Sequence, residues 1–217
     1  MVICRAADGA VAECHVPFPP LPEAAAAGSG VAAGAGGLSG TGQQAGPPGA
    51  AGQAGPGAGI AAAAERIAAH ARSDRTVAVL LVRLGGYAAG VFTGPDAQLA
   101  ASKVGSRLVH GRSAAGGTSQ QRFARRREKQ ARQALGAAAD TAAAVFAPFT
   151  GKLDAVVLGG DRRAIAGLRD DPRLKPYFDL AVERFLSVPD PRLAVLRGTP
   201  QLFRAVRIRL TEPAQPG

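Results

Sequence analysis

The chain has 217 residues and a formal net charge of +10, with 47% hydrophobic but only 5% aromatic residues. The cationic excess favours polyanionic partners, nucleic acid before a membrane surface. No apolar run approaches the ~20 residues that span a bilayer, the N-terminus does not read as a secretory leader, and Cys4 and Cys14 read as reduced thiols in a cytoplasmic protein, without zinc-ligand spacing.

Val2-Ile3-Cys4-Arg5 and Ala12 to Val16 flank Asp8-Gly9, a two-residue turn signal, and predict a hairpin. Two origins stay open for it: an edge hairpin on the main domain, or the remnant of a chain with an upstream segment. Pro17 to Pro22 is extended. Ala24 to Gly59 is Gly/Ala/Pro/Gln of low complexity and too poor in large apolar groups to offset its ordering entropy, so it reads as a disordered linker. Ile60 to Arg72 has helical composition. Thr76 to Leu84, Tyr87 to Thr93 and Gln98 to Ser102 predict a β-meander with turns at Gly85-Gly86 and Gly94-Pro95-Asp96. A long helix follows from about Ser119 to Ala147, stopping before Pro148. Leu153 to Leu158 is a strand ended by Gly159-Gly160, and Asp161 is placed to cap a helix over Arg162 to Arg169. Asp170 to Pro176 reads as a turn region, Ala181 to Val188 as a strand, Pro191 to Leu196 as a helix start and Ala205 to Leu210 as a half-exposed strand. This order indicates a layered α/β domain with a mixed β-sheet and flanking helices. The expected divisions are an N-terminal hairpin segment at 1–22, a linker at 23–60, the main domain at 61–213 and a tail at 214–217.

The chemistry is concentrated between Val109 and Arg132. Ala114, Ala115, Gly116 and Gly117 carry almost no side chain, so the backbone can approach something large. Thr118, Ser119, Gln120 and Gln121 put polar, non-titrating groups at the loop tip. The helix behind them spaces Ala124, Ala131, Leu135, Ala138, Ala142 and Val145 as one face. Arg122, Arg125, Lys129 and Arg132 form a stripe on another. Between Lys103 and Arg132 there are nine basic residues and one acidic residue, Glu128. A solvated helix normally mixes signs, so phosphate contact is the better reading of Arg107, Arg112, Arg122, Arg125, Arg126, Arg127, Lys129 and Arg132.

Gly117-Thr118-Ser119-Gln120 resembles the Gly-x-x-Gln loop of release-factor-like peptidyl-tRNA hydrolases of ribosome-associated quality control. These are related to the catalytic middle domain of the eukaryotic class I release factor. The run Lys103 to Arg107, His110-Gly111-Arg112 and Gly116 to Glu128 is similar to their bacterial branch, and the resemblance extends over roughly Thr76 to Pro213. Release factors themselves carry Gly-Gly-Gln, whereas two residues separate glycine from glutamine here. The resemblance implies a ribonuclease-H-like layout, no cofactor, and Gln120 as the catalytic glutamine, with Gln121 the rival if the loop registers one residue later. It further implies a monomer acting on the large ribosomal subunit, its rRNA and peptidyl-tRNA.

An activated ester needs chiefly an aligned water. A glutamine amide donates and accepts hydrogen bonds while staying neutral, which suits that task. His110, at the loop edge, reads as structural rather than as a general base. No Gly-x-Ser-x-Gly elbow supports a triad hydrolase. Asp154 and Asp161 do not form a nuclease carboxylate pair, and Gly159-Gly160 lacks the pattern of a phosphate cradle. Two further readings remain beside the hydrolase: a non-catalytic ribosome- or RNA-binding module of the same fold, and an adaptor for an acidic protein.

Overall fold

A computed structural model describes residues 1–6, 9–22, 56–83, 85–107 and 119–212. The strands β1 (Val2–Arg5) and β2 (Val11–His15) precede helix α1 (Pro56–Arg72). The strands β3 (Val77–Arg83), β4 (Gly86–Thr93) and β5 (Gln98–Ser106) then lead to the long helix α2 (Ser119–Phe146) and a 3-10 turn at Ala147–Phe149. The chain continues through β6 (Ala155–Gly160), α3 (Arg162–Ala166), α4 (Lys175–Phe178), β7 (Ala181–Leu186), α5 (Leu193–Arg197), α6 (Thr199–Phe203) and β8 (Arg207–Thr211).

Five strands form a mixed sheet in the order β5-β4-β3-β6-β7. β4 runs antiparallel to both neighbours, while β3, β6 and β7 are parallel. Counted from β3, only the second strand is reversed and the fourth and fifth lie beyond the first. This is the ribonuclease-H-like layout that the resemblance implied. The reason β3 takes the centre lies in its composition: Val77 to Val82 is an unbroken apolar run, as a strand covered on both faces requires. Ala78, Leu80 and Val82 face the layer of α2, α3 and α4, together with Ala138, Ala142, Phe146, Ile165 and Tyr177. Val77, Val79 and Leu81 face the other layer, with Phe18, Leu196 and Phe203. Leu81 is fully buried, and burying such a side chain stabilises the fold by about 1.5–3 kcal/mol.

The hairpin does not join this sheet. β2 pairs with β1 on one side and β8 on the other, making a separate three-stranded sheet. At the turn, Ala6 N–H donates to the Ala10 carbonyl at 2.9 Å, Gly9 N–H donates to the Ala6 carbonyl at 3.1 Å, and Gly9 has φ +90°; Asp8 of the expected Asp8-Gly9 turn lies outside the described residues. Cys14 and Val16 pack on Ile67 of α1. His70 fixes the connecting segment to α1, its Nε2 lying 2.6 Å from the Phe18 carbonyl, while Arg75 donates to the His70 carbonyl at 2.7 Å and lies over the Phe18 ring.

Other boundaries differ from the sequence reading. α1 starts at Pro56, inside the stretch read as linker up to residue 60, with proline at a first-turn position where its missing N–H costs nothing. The rest of that stretch, 23–55, and residues 213–217 lie outside the described residues. β5 continues to Ser106 instead of stopping at Ser102, where Gly105 leaves room for the Tyr87 ring. Gly159 and Gly160 do not end β6 but belong to it. Gly160 has φ +99°, and a Cβ there would lie 2.2 Å from the Val82 carbonyl oxygen. The pair is a close-packing device, and its space is filled by protein. Asp161 caps α3 as expected, accepting from Arg163 N–H at 2.7 Å and Ala164 N–H at 3.3 Å. That helix stops at Ala166, α4 rises out of the expected turn at Lys175, and the last helical stretch is divided into α5 and α6.

Candidate functional site

The strand β5 delivers the chain to Arg107, which is exposed and whose N–H donates to the Gly85 carbonyl at 2.8 Å. Arg112, Gly116, Gly117 and Thr118, with His110, fall in 108–118 and lie outside the described residues. α2 begins at Ser119, so Ser119, Gln120, Gln121 and Arg122 occupy the opening turn of a helix. The start is the one expected from the sequence, about Ser119, so the polar residues read as the loop tip from Ser119 on stand on the helix's first turn. The first four N–H groups of any helix lack an intrahelical acceptor and carry partial positive charge. The two glutamines are therefore mounted where the backbone already favours an anion.

The next turns stand clear of the core. Arg125, Arg126, Glu128, Lys129, Ala131, Arg132 and Gln133 are all exposed, and among the described side chains of α2 the first buried one is Ala134. The sequence reading placed Ala131 on the core face; its small size fits that face, but among the described residues nothing covers it. Residues 119–133 are the opening ~22 Å of the helix at the helical rise, and the side chains described in it, from Arg125 on, make an exposed cationic arm. Arg127 belongs to this arm by its place in the helix. The periodic face of Leu135, Ala138, Ala142 and Val145 does pack on the sheet. Alanines on α2 opposite Ala89 of β4 let the helix lie close to the sheet and hold the arm's direction.

The electrostatics of the arm are one-sided. Arg132 pairs with Glu128 at 2.8 Å, an i,i+4 contact between exposed groups, which contributes little. Arg125, Arg126 and Lys129 have no ion pair among the described residues. Further along, Arg173 bridges Asp140 of α2 at 2.8 Å and Asp171 at 2.7 Å. The hydrogen bond from Arg173 holds the Asp171 carboxyl below its ordinary range. This bridge ties the anchored half of α2 to the turn before α4.

Among the described residues, Asp154 and Asp161 are each used in backbone hydrogen bonding. Asp154 accepts from the Thr76 N–H at 2.7 Å and Asp161 is a helix cap, and among the described residues no group of three or more His, Cys, Asp or Glu could hold a metal ion. Nor, among them, is any helix long and apolar enough to cross a membrane. The sequence reading missed His70. Its signal was a lone histidine in an alanine-rich helix, and its role is structural.

A family model described as Actinobacteria/chloroflexi VLRF1 release factor matches residues 75–209. The match runs from the approach to β3 into β8 and includes the whole of α2. Among solved structures the chain is similar to the crystal structure of the archaeal translation termination factor aRF1, at 15% identity and a TM-score of 0.45. That likeness covers 59% of this chain and 37% of the archaeal one. No curated protein matches.

Proposed function

Because the chain belongs to the Actinobacteria/chloroflexi VLRF1 release factor family, we propose that it hydrolyses peptidyl-tRNA, freeing nascent chains from stalled or obstructed ribosomes or large subunits. The observation that carries this reading is the order of parts within the family match. A glycine pair at 116–117 is followed, after Thr118 and Ser119, by Gln120 and Gln121 on the first turn of α2, and then by an exposed cationic arm.

In this reading Gly116 and Gly117, with Thr118 and Ser119, let the chain approach the peptidyl-transferase centre. Gln120 holds a water against the ester carbonyl, one amide hydrogen bond fixing its oxygen and another its orientation. Gln121 is the alternative holder, about 100° round the helix. Neither is a proton acceptor of useful strength, so the proton leaves through hydroxyls of the substrate or the RNA. Arg107, Arg112, Arg122, Arg125, Arg126, Arg127, Lys129 and Arg132 hold rRNA or the tRNA acceptor end, supplying ground-state affinity rather than rate. No cofactor enters the scheme. A monomer working in the cytoplasm belongs to the same reading.

The test is release of labelled peptide from purified large subunits carrying peptidyl-tRNA. The expected result is release in a single turnover by the intact chain without added nucleotide or metal beyond what the subunits need. Binding to those subunits with no release would favour the non-catalytic RNA-binding module instead.

A further inference from the structure

A second cationic site lies outside the α2 arm. Between the three-stranded sheet and the β7 edge of the main sheet is a cleft of about 340 Å³, lined among others by His15, Pro17, Arg162, Arg184, Phe185 and Arg207. β7 and β5 are opposite edges of the five-stranded sheet, and the chain leaves β5 to form the arm. The cleft therefore uses none of the arm's residues.

Its charges are unbalanced. Arg184 donates to the carbonyls of Leu202 and Ala205, which holds its guanidinium in place. Burial, and then the neighbouring Arg207, lower its proton affinity, so two cations are held close enough to repel each other. Arg162 lies over the Phe185 ring, 4.3 Å from its centroid. Glu183 also lines the cleft, yet none of the three arginines has a carboxylate within ion-pair distance among the described residues. Like charges held close together without an ion-paired carboxylate cost free energy that an incoming anion would recover. Arg209 follows Arg207 on the same face of β8 and extends the cationic surface away from the cleft, tempered by Glu13 at 3.9 Å.

We infer that this cleft is a second RNA-binding site, in which Arg162, Arg184 and Arg207 take a backbone phosphodiester. Guanidinium forks match two phosphate oxygens in a way a lysine does not. Pro17 and Phe185 offer an apolar surface on which a ribose or base can rest. An acidic peptide would satisfy the charge but would have less use for that floor. Because the cleft and the arm share no residues, the protein contacts RNA at two places, which raises affinity through effective concentration when both are engaged.

The experiment uses the full chain, a short labelled single-stranded RNA and fluorescence anisotropy over a salt series. The double variant Arg162→Gln/Arg207→Gln is compared with Arg162→Lys/Arg207→Lys; Arg184 is kept because its hydrogen bonds join β7 to the end of α6. Each lost phosphate contact should make the slope of log K against log salt shallower by about 0.7. The glutamine variant should therefore bind about tenfold more weakly at low salt with a visibly shallower slope, while the lysine variant keeps most of the slope. Parental affinity and slope in the glutamine variant would overturn the proposal. Equal loss in the lysine variant would also overturn it, since packing rather than charge would then be responsible. So would tighter binding of polyglutamate than of RNA to the parent, abolished in the glutamine variant. Peptide release is read separately, so a failure of the hydrolase reading leaves this result standing, and the reverse.

Discussion

The two halves of α2 obey different rules although one unbroken helix contains both. From Ala134 to Phe146 the helix is alanine-rich, and its inward face is buried against β3 and β4. From Ser119 to Gln133 it is polar and cationic, and every side chain described as far as Gln133 is exposed or half-exposed. Helices of this length draw their stability from packing more than from propensity. The anchored half therefore carries the folding energy, and the projecting half is left free to carry charge. A helix built this way can be mutated in one half for stability and in the other for binding, with little exchange between the two.

That separation can be broken on purpose. Phe146→Ala removes a ring that is 1% exposed and packed edge-on against Tyr177. The expected cost is about 3–5 kcal/mol of stability, read by chemical denaturation, with RNA affinity unchanged in the fraction that stays folded. Arg125→Glu combined with Arg126→Glu should do the opposite. Both side chains are exposed, so stability should change by about 0.5 kcal/mol or less. Ribosome or RNA affinity should fall about tenfold or more near physiological salt. Equal cosedimentation of mutant and parent at low and high salt would refute the division of labour. The smallest effect belongs to Glu128→Gln. It removes the one carboxylate of the arm and its pair with Arg132, costing about a few tenths of a kcal/mol and tightening RNA binding by about twofold. Weaker binding in that variant would mean that Glu128 positions Arg132 rather than opposing it.

The sequence disclosed parts of this molecule unevenly, for physical reasons. β3 was legible because a run such as Val-Ala-Val-Leu-Leu-Val has one stable home, a strand covered on both faces. The Asp161 cap was legible because its partners are two and three residues away. Features settled by distant partners were not. The pairing of β8 with β2 joins opposite ends of the chain, and nothing in Arg-Ile-Arg-Leu-Thr names its neighbour. Gly159 and Gly160 resemble a strand terminus until the Val82 and Leu186 backbones are seen to occupy the space a Cβ would need. Ala131 has the right period for the core face, but the period does not say where the sheet stops beneath the helix. The mixed α/β class followed from the element pattern, whereas the strand order came with the family resemblance. At the candidate site, the charge of the arm was plain in the sequence. The helix start at Ser119 was legible too, and it puts Gln120 and Gln121, which are also the polar end of the loop, on the first turn of α2.

The central claim is that a glutamine on the opening turn of α2 acts on the hydrolytic water while the arginines behind it only bind. Single-turnover release from large subunits carrying peptidyl-tRNA, with saturating Gln120→Ala protein and binding measured separately, tests this most directly. A residue used only in the transition state lowers the rate and leaves affinity alone. The account predicts release reduced to background with parental affinity, and a milder loss for Gln121→Ala. If Gln121→Ala is the inactive variant instead, the assignment moves by one residue and the chemistry stands. Release at the parental rate by both single variants and by the double variant Gln120→Ala/Gln121→Ala would contradict the account.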